Sequence, residues 1–182
     1  TAIRRQRQMC IRDRGTSAAE AMTMLFSNRD REKVNNNCNK FFVADDVFDQ
    51  TLDVLMTRAE PLGIEIVKNS IDKINVDKSF FGIYVQYTGK NGQINDLKSI
   101  SKAISNFDIK LVVAADLLSL TTLEKPSLFN CDVVVGTSQR FGIPLGYGGP
   151  HAGYFATKKQ YKRSIPGRII GVSKDTDGNR AL

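Results

Sequence analysis

Short apolar runs that alternate with helical patterns constrain the fold of this chain more than any other feature. The runs are rich in β-branched and aromatic residues and stand at 40–46, 63–68, 80–87, 108–116, 131–136 and 151–157. Helices of about a dozen residues between such runs are typical of βαβ units. Runs that are apolar on both faces indicate a parallel or mixed sheet that is covered on both sides. We therefore predict an α/β fold with an open, mostly parallel sheet and helices on both faces.

The segments around these runs predict three helices, at 15–27, 46–59 and 94–106. Asp45 or Asp46 stands where a side chain can cap the second helix. The expected apolar faces are Phe48, Leu52, Leu55, Met56 and Ala59 on the second helix and Ile94, Leu97, Ile100 and Ile104 on the third. Residues 28–40 lack an apolar period and are predicted as a polar loop. A basic helix is predicted to begin at Lys158.

Two of the predicted strands end in polar residues, at the edge where such sheets bind their ligands. Asp116 follows the run LVVAA, and residues 136–140 follow the run DVVV. Ligands of open α/β sheets lie beyond the carboxyl ends of the strands. The Asp116 carboxylate could pair with a cationic ring nitrogen, or it could cap the next helix. The residues alone leave both interpretations open.

A glycine-rich stretch, GYGGPHAGYF, contains the only histidine of the chain. Gly146, Gly148 and Gly149 permit a left-handed backbone or the close approach of another segment. The stretch fits neither a dinucleotide fingerprint nor a P-loop, because a strand follows it and it contains no lysine. His151 has no partners at metal-ligand spacing, so we expect a hydrogen-bonding role and no metal site. For the glycine-rich stretch as a whole, the alternative to a ligand-binding loop is a tight connection between two strands.

The positive charge of the chain is concentrated at its amino terminus. The formal net charge is +7, and residues 1–14 contribute five arginines and one aspartate to it. The remaining charges are interspersed, without the basic and aromatic alternation of RNA-binding modules. We expect residues 1–14 to be a non-native or disordered basic arm. A nucleic-acid-binding module is the alternative, and it predicts salt-dependent DNA binding that survives deletion of this arm.

The cysteine spacing and the hydropathy indicate the kind of cellular environment in which the protein occurs. Cys10, Cys38 and Cys131 are far apart and form no CxxC pair, so we expect neither a disulfide framework nor a zinc site. No apolar run approaches the roughly 18 residues of a membrane helix. We expect a reducing, cytoplasmic environment and no membrane or nucleic-acid partner.

Several strings resemble the amino-terminal half of the glycine decarboxylase P-protein family of the glycine cleavage system. The longest is GTSQRFGIPLGYGGPHAGYFATKKQYKRSIPGRIIGVS, at 136–173. GTSAAEAM, FFVADDVFDQTLDVLMTRAEPLGIEIV and LVVAADLLSL precede it in the order that the family has. The resemblance runs from Gly15 to the end of the chain and excludes residues 1–14.

The resemblance implies the fold-type I architecture of enzymes that depend on pyridoxal phosphate. In this family the cofactor ring is the electron sink for glycine decarboxylation, and the aminomethyl group passes to the lipoyl arm of H-protein. Two halves of similar fold form the enzyme, fused in one chain or as two subunits, and the Schiff-base lysine belongs to the carboxy-terminal half. The implied partners are that other half, lipoylated H-protein and glycine, in a dimeric or pseudo-tetrameric assembly. The implied compartment is the cytoplasm of a bacterium or the mitochondrion of a eukaryote.

The resemblance also accounts for the missing lysine. In the active half, a His-Lys pair precedes a phenylalanine, a proline and a glycine-rich run, whereas here Ser138 and Gln139 precede Phe141 and Pro144. Gln139 therefore stands at the lysine position, and an amide cannot act as that nucleophile. No catalytic residue is implied in this half. Asp116 resembles the aspartate that pairs with the pyridinium nitrogen, and it is the one cofactor-binding candidate.

What remains for this half is to shape the active site. The candidates for a cleft wall or an interface are Gly146, Tyr147, Gly148, Gly149 and His151. We expect the chain to be a fragment that is inactive alone, with residues 15–182 forming a partial large domain of the pyridoxal-phosphate transferase type. The alternatives are a non-catalytic interaction or regulatory subunit of a pyridoxal-phosphate enzyme complex, or another fold-type I enzyme such as an aminotransferase or a lyase.

Overall fold

Six of the strands form one mixed sheet, and each coincides with one of the six apolar runs. The structure is a computed structural model that describes residues 14–144, 153–167 and 173–181. The strands are β1 (Lys40–Ala44), β2 (Glu65–Asn69), β3 (Phe80–Gln86), β4 (Lys110–Ala114), β5 (Val133–Thr137) and β6 (Gly153–Thr157). Their order is β2-β1-β3-β4-β5-β6. All neighbours are parallel except β5 and β6, so the predicted α/β class with a mostly parallel sheet is confirmed.

The α-helices within the described residues are α1 (Arg14–Ser27), α2 (Arg31–Asn35), α3 (Asp49–Ala59) and α4 (Leu97–Ile104). α1 lies against β3, β4, β5 and β6. All seven residues of β3 are buried, so both faces of the sheet are covered at its centre. A separate hairpin joins β7 (Ser173–Lys174) to β8 (Arg180–Ala181).

Two local predictions were wrong. α2 lies inside the predicted polar loop and begins where the Asp30 carboxylate accepts a hydrogen bond from the Lys33 backbone N–H at 2.8 Å. None of the α2 residues is buried, so the sequence has no apolar period there that could have predicted this helix. The predicted basic helix from Lys158 is only a 3₁₀ turn at Lys159–Tyr161.

The predicted cap of the second helix was also wrong. α3 begins at Asp49, later than expected, and its N-cap Phe48 makes no side-chain cap hydrogen bond. Asp46 is buried, and one of its carboxylate oxygens accepts from Gln93 Nε2 at 3.0 Å and from Asn95 Nδ2 at 2.6 Å. Burial of a carboxylate requires such donors, so these long-range bonds replaced the local cap.

The apolar faces of the helices are narrower than predicted. On α3, Leu55 and Ala59 are buried, whereas Met56 is 53% exposed. On α4 the predicted face is confirmed apart from Ile94, which is 61% exposed. Ile94 precedes the helix, because the Asp96 carboxylate accepts from the backbone N–H groups of the first turn and starts α4 there.

An aromatic cluster fills the core under α1. The ring of Phe41 on β1 stacks on that of Phe81 on β3 with centroids 5.1 Å apart, and Phe26 of α1 meets Phe81 edge-on at 5.3 Å. A Cβ at Gly82 would lie 2.7 Å from the Phe41 ring. The absence of a side chain at Gly82 therefore makes room for this stack.

Cys38 and Cys131 are both buried and free. The Cys131 thiol donates to the Val133 carbonyl at 2.9 Å. Burial, assisted by the negative charge of Asp132, raises the pKa of Cys131 to about 12. Because the thiolate is the reactive form, we expect iodoacetamide at about pH 8 to leave Cys131 unmodified in the native protein. Peptide mass spectrometry checks this, with urea-denatured protein as the control. Native labelling as fast as in urea contradicts it.

Among the described residues, no helix combines the length and the apolar character needed to cross a membrane.

Candidate functional site

The structure brings Asp116 and Gln139 to the same edge of the sheet. Asp116 follows β4, and β5 continues through Ser138 into a 3₁₀ turn at Gln139–Phe141. β4 and β5 are parallel neighbours, with Ala114 opposite Val135. The carboxyl ends of the two strands therefore lie side by side, where ligands of such sheets bind.

The Asp116 carboxylate already has a partner on each oxygen. Its side chain is only 10% exposed, and Oδ2 lies 2.8 Å from Arg140 Nη1. Oδ1 accepts from the backbone N–H of Leu118 at 3.0 Å. The capping interpretation is not met, because the 3₁₀ helix that follows at Ser119–Thr121 has Leu118 as its N-cap and no side-chain cap hydrogen bond. The carboxylate accepts from one backbone N–H, that of Leu118, and its cationic partner in the structure is the Arg140 side chain.

Gln139 is enclosed at its strand end. Its backbone N–H donates to Thr137 Oγ1 at 3.1 Å. The two polar atoms of its side-chain amide are buried, and no hydrogen-bond partner for them occurs among the residues that the structure describes. An unpartnered buried amide is costly, about 1–3 kcal/mol for each group. Such a group persists only where the surrounding structure holds it in place.

Below this edge, strands β4, β5 and β6 are in close contact. A Cβ at Gly136 would lie 2.0 Å from the Ala115 carbonyl oxygen and 2.7 Å from the Tyr154 ring. The Tyr154 hydroxyl donates to that same carbonyl at 2.6 Å. Tyr154 and Arg140 were not singled out from the sequence. Arg140 had a signal, because it lies within the strand end 136–140 that marked the ligand edge.

The remaining candidates lie outside the described residues. Gly146, Tyr147, Gly148, Gly149 and His151 fall in the interval 145–152, which the structure does not describe. Their role as a cleft wall or interface stays a prediction. Among the described residues, no group of His, Cys, Asp and Glu side chains is arranged to hold a metal ion.

The described residues do not fit covalent attachment of pyridoxal phosphate. Covalent attachment needs an amine, and Gln139 at this strand end supplies an amide. The ring nitrogen of the cofactor also takes a protein partner, and the carboxylate of the candidate, Asp116, is paired with groups of this chain. This strand end therefore lacks the amine that covalent attachment requires.

A cavity of about 330 Å³ lies at the opposite edge of the sheet, beside the start of β4. Asp108 and the lysines Lys33 and Lys110 are among its lining residues. Burial raises the pKa of Asp108, but hydrogen bonds from Lys110 and Lys33 outweigh it and hold the pKa below its usual value. Both lysines form ion pairs with the Asp108 carboxylate. Their charges are therefore already neutralised, and these two side chains do not form a binding site for an anion.

A sequence model of the family described as "Glycine cleavage system P-protein" matches residues 8–182. The match begins inside the segment 1–14, so the boundary of the proposed arm stays a prediction. The chain is 55% identical over 171 residues to "Glycine dehydrogenase (decarboxylating)" of Flavobacterium johnsoniae and 52% identical over 170 residues to that of Christiangramia forsetii. Each comparison covers 93% of this chain and 18% of the relative. The chain therefore spans about a fifth of the length of these relatives.

Solved structures agree with the sequence relatives. A crystal structure of glycine decarboxylase (P-protein) of the glycine cleavage system, in inhibitor-bound form, matches with a TM-score of 0.81 and 29% identity, over 93% of this chain and 38% of that one. Cystathionine γ-lyase from Lactobacillus plantarum matches with a TM-score of 0.60 and 18% identity, over 82% of this chain and 38% of that one, which shows the fold alone. The architecture is that of fold-type I pyridoxal-phosphate enzymes. The family match covers nearly the whole chain, and the chain belongs to the glycine cleavage system P-protein family.

Proposed function

We propose that the complete protein containing this chain is a glycine dehydrogenase of the decarboxylating, aminomethyl-transferring type. Its substrate is glycine, and the lipoyl arm of H-protein receives the aminomethyl group. The family match over residues 8–182 and relatives that carry the name glycine dehydrogenase (decarboxylating) support this proposal. Pyridoxal phosphate, bound by the other half, supplies the electron sink for decarboxylation.

The role proposed for this chain is to shape the active site without taking part in the covalent chemistry. The observation that carries it is Gln139, whose enclosed amide stands, in the alignment that the resemblance implies, where the active half of the family has its lysine. The carboxy-terminal half, or a second subunit, supplies the lysine. The partial large domain at 15–182 then serves as a scaffold, and residues 146–151 form one wall of the cleft or part of the interface between the halves.

Borohydride trapping tests this division of labour. The complete protein is saturated with pyridoxal phosphate, reduced with borohydride and digested, and the modified lysine is located by mass spectrometry. We expect one stoichiometric adduct, on a lysine outside these 182 residues. The many lysines of this chain are internal controls for non-specific labelling. A stoichiometric adduct on any of them contradicts the proposal, as does the absence of glycine decarboxylation in the presence of lipoylated H-protein.

Replacement of His151 by alanine is expected to lower kcat/KM for glycine about tenfold, which corresponds to about 1.4 kcal/mol of transition-state stabilisation. The reason is that a histidine in a cleft wall can donate a hydrogen bond to the substrate or to a residue that orients it. Steady-state glycine decarboxylation by the complete protein measures the change. Lys159→Ala, an exposed position beyond the far end of β6, is the control. Unchanged turnover and cofactor affinity remove His151 from the site.

A non-catalytic interaction or regulatory subunit of a pyridoxal-phosphate enzyme complex is the second candidate. The missing amine at Gln139 supports it equally. The neighbouring coding sequence distinguishes the two, because the enzyme requires a reading frame, fused or adjacent, with a His-Lys pair ahead of a glycine-rich run. For the enzyme we propose a dimeric or pseudo-tetrameric assembly in the bacterial cytoplasm, or in the mitochondrion of a eukaryote. Light scattering on the purified complex gives its mass.

A further inference from the structure

Among the described residues, the Asp116 carboxylate is one of a few acidic groups that are largely shielded from solvent. With 10% of its side chain exposed, it requires compensating partners, because a buried unpaired carboxylate is strongly unfavourable. Arg140 Nη1 at 2.8 Å and the Leu118 N–H at 3.0 Å provide them. Neither oxygen is left without a donor of this chain.

Arg140 reaches this carboxylate from the turn that follows the neighbouring strand. The turn is fixed locally by the Phe141 N–H, which donates to the Ser138 carbonyl at 3.0 Å, and it ends at Gly142 with a φ of 90°. The Arg140 side chain is 66% exposed overall, and its Nη1 atom reaches the carboxylate. The ion pair therefore ties the turn after β5 to the loop after β4.

The same turn encloses Gln139. The polar atoms of its amide are buried without a partner among the described residues, and this burial opposes closure of the turn. Local hydrogen bonds such as that from the Gln139 N–H to Thr137 Oγ1 hold the backbone. The Asp116–Arg140 pair is a long-range contact that fastens the turn to the loop after β4.

We propose that Arg140 is an internal cation that takes the place of a cofactor ring nitrogen at Asp116 and thereby keeps the vestigial cofactor site of this half closed. Asp116 and Arg140 are positioning residues in this assignment, and neither touches the cofactor. The assignment rests on the proposed function only in its reference to the cofactor. The closed turn itself follows from the contacts of this chain.

Four variants of the complete protein test this: Arg140→Gln, Arg140→Lys, Asp116→Asn and the double variant Arg140→Gln/Asp116→Asn. Asp116→Asn can keep an acceptor oxygen for the Leu118 N–H, while it removes the charge and replaces the oxygen that faces Arg140 with an NH₂ donor. Arg58→Gln, which breaks the exposed pair with Glu20 at 3.3 Å, is the matched control. Hydrogen exchange of residues 137–142 and the content of bound pyridoxal phosphate are measured for each.

We expect Arg140→Gln and Asp116→Asn each to speed hydrogen exchange in this segment about tenfold. The exchange rate of the double variant should be no higher than that of either single variant, because all three variants lose the same contact. Arg140→Lys retains a charge and should lie close to the parent protein. Cofactor content should be equal in all of them. Exchange that stays at the level of the Arg58→Gln control, additive single effects, or a fall in cofactor content in Asp116→Asn overturns the proposal. Exchange needs no turnover, so failure of the glycine assay is a separate result.

Discussion

Replacement of Phe41 by alanine is expected to destabilise the sheet by about 4 kcal/mol, the cost of truncating a fully buried aromatic side chain. Phe41 has no exposed surface, and its ring stacks on Phe81 above the space left by Gly82. The neighbouring strands are tightly paired on both sides of β1, so the cavity cannot collapse easily. Hydrogen exchange of β1 and β3 in the complete protein measures the loss as about three orders of magnitude in rate.

Two controls separate the cavity from a general loss of order. Phe41→Leu keeps most of the apolar volume and should cost about 1–1.5 kcal/mol. Met56→Ala removes a side chain that is 53% exposed and should change stability by less than about 0.5 kcal/mol. If Phe41→Ala affects exchange no more than Met56→Ala does, the aromatic cluster is not the core of this sheet.

The second large effect is expected for Gly136→Ala, at about 3 kcal/mol, the upper range for forcing one extra methyl group into a packed interior. The added Cβ would lie 2.0 Å from the Ala115 carbonyl oxygen, and that oxygen belongs to the backbone between β4 and the site. Strands β4 and β5 must therefore move apart to relieve this clash. Hydrogen exchange of peptides from β4, β5 and β6 reports this separation directly.

Gly92→Ala is the matched control for Gly136→Ala. Gly92 has a φ of 83° but no atoms within 4 Å of an added Cβ, so the substitution should cost only the backbone strain, about 1–2 kcal/mol. The double variant Gly136→Ala/Tyr154→Leu should recover little, because the carbonyl clash remains after the ring is removed. Full recovery in that variant would show that the tyrosine ring, and not the backbone, sets the requirement for glycine.

The strands could be predicted from the sequence because each is a short apolar run between polar segments. Parallel neighbours bring their carboxyl ends to one edge, so the proximity of Asp116 to residues 136–140 also followed from the pattern. The Asp116–Arg140 contact did not, because it joins side chains 24 positions apart (116 to 140) whose directions depend on the turn geometry. The cation that pairs with Asp116 could therefore be identified only from the structure.

The errors in the helices have a common physical origin. Periodicity describes which residues share a face, but it does not say where a helix begins. Asp46 was expected to cap α3 and instead binds Gln93 and Asn95, partners far away in sequence. Met56 has the spacing of the apolar face and is exposed, because the buried part of α3 is narrower than its apolar pattern.

Strand β2 borders the sheet with no further strand beyond it among the described residues. Such a border offers unpaired backbone groups to any other extended chain and can seed self-association. Two of its residues are charged, Glu65 and Lys68, and both are exposed. A second copy that paired here in parallel register would set like charges against each other. The charges at this border therefore oppose edge-to-edge pairing of two copies of the polypeptide.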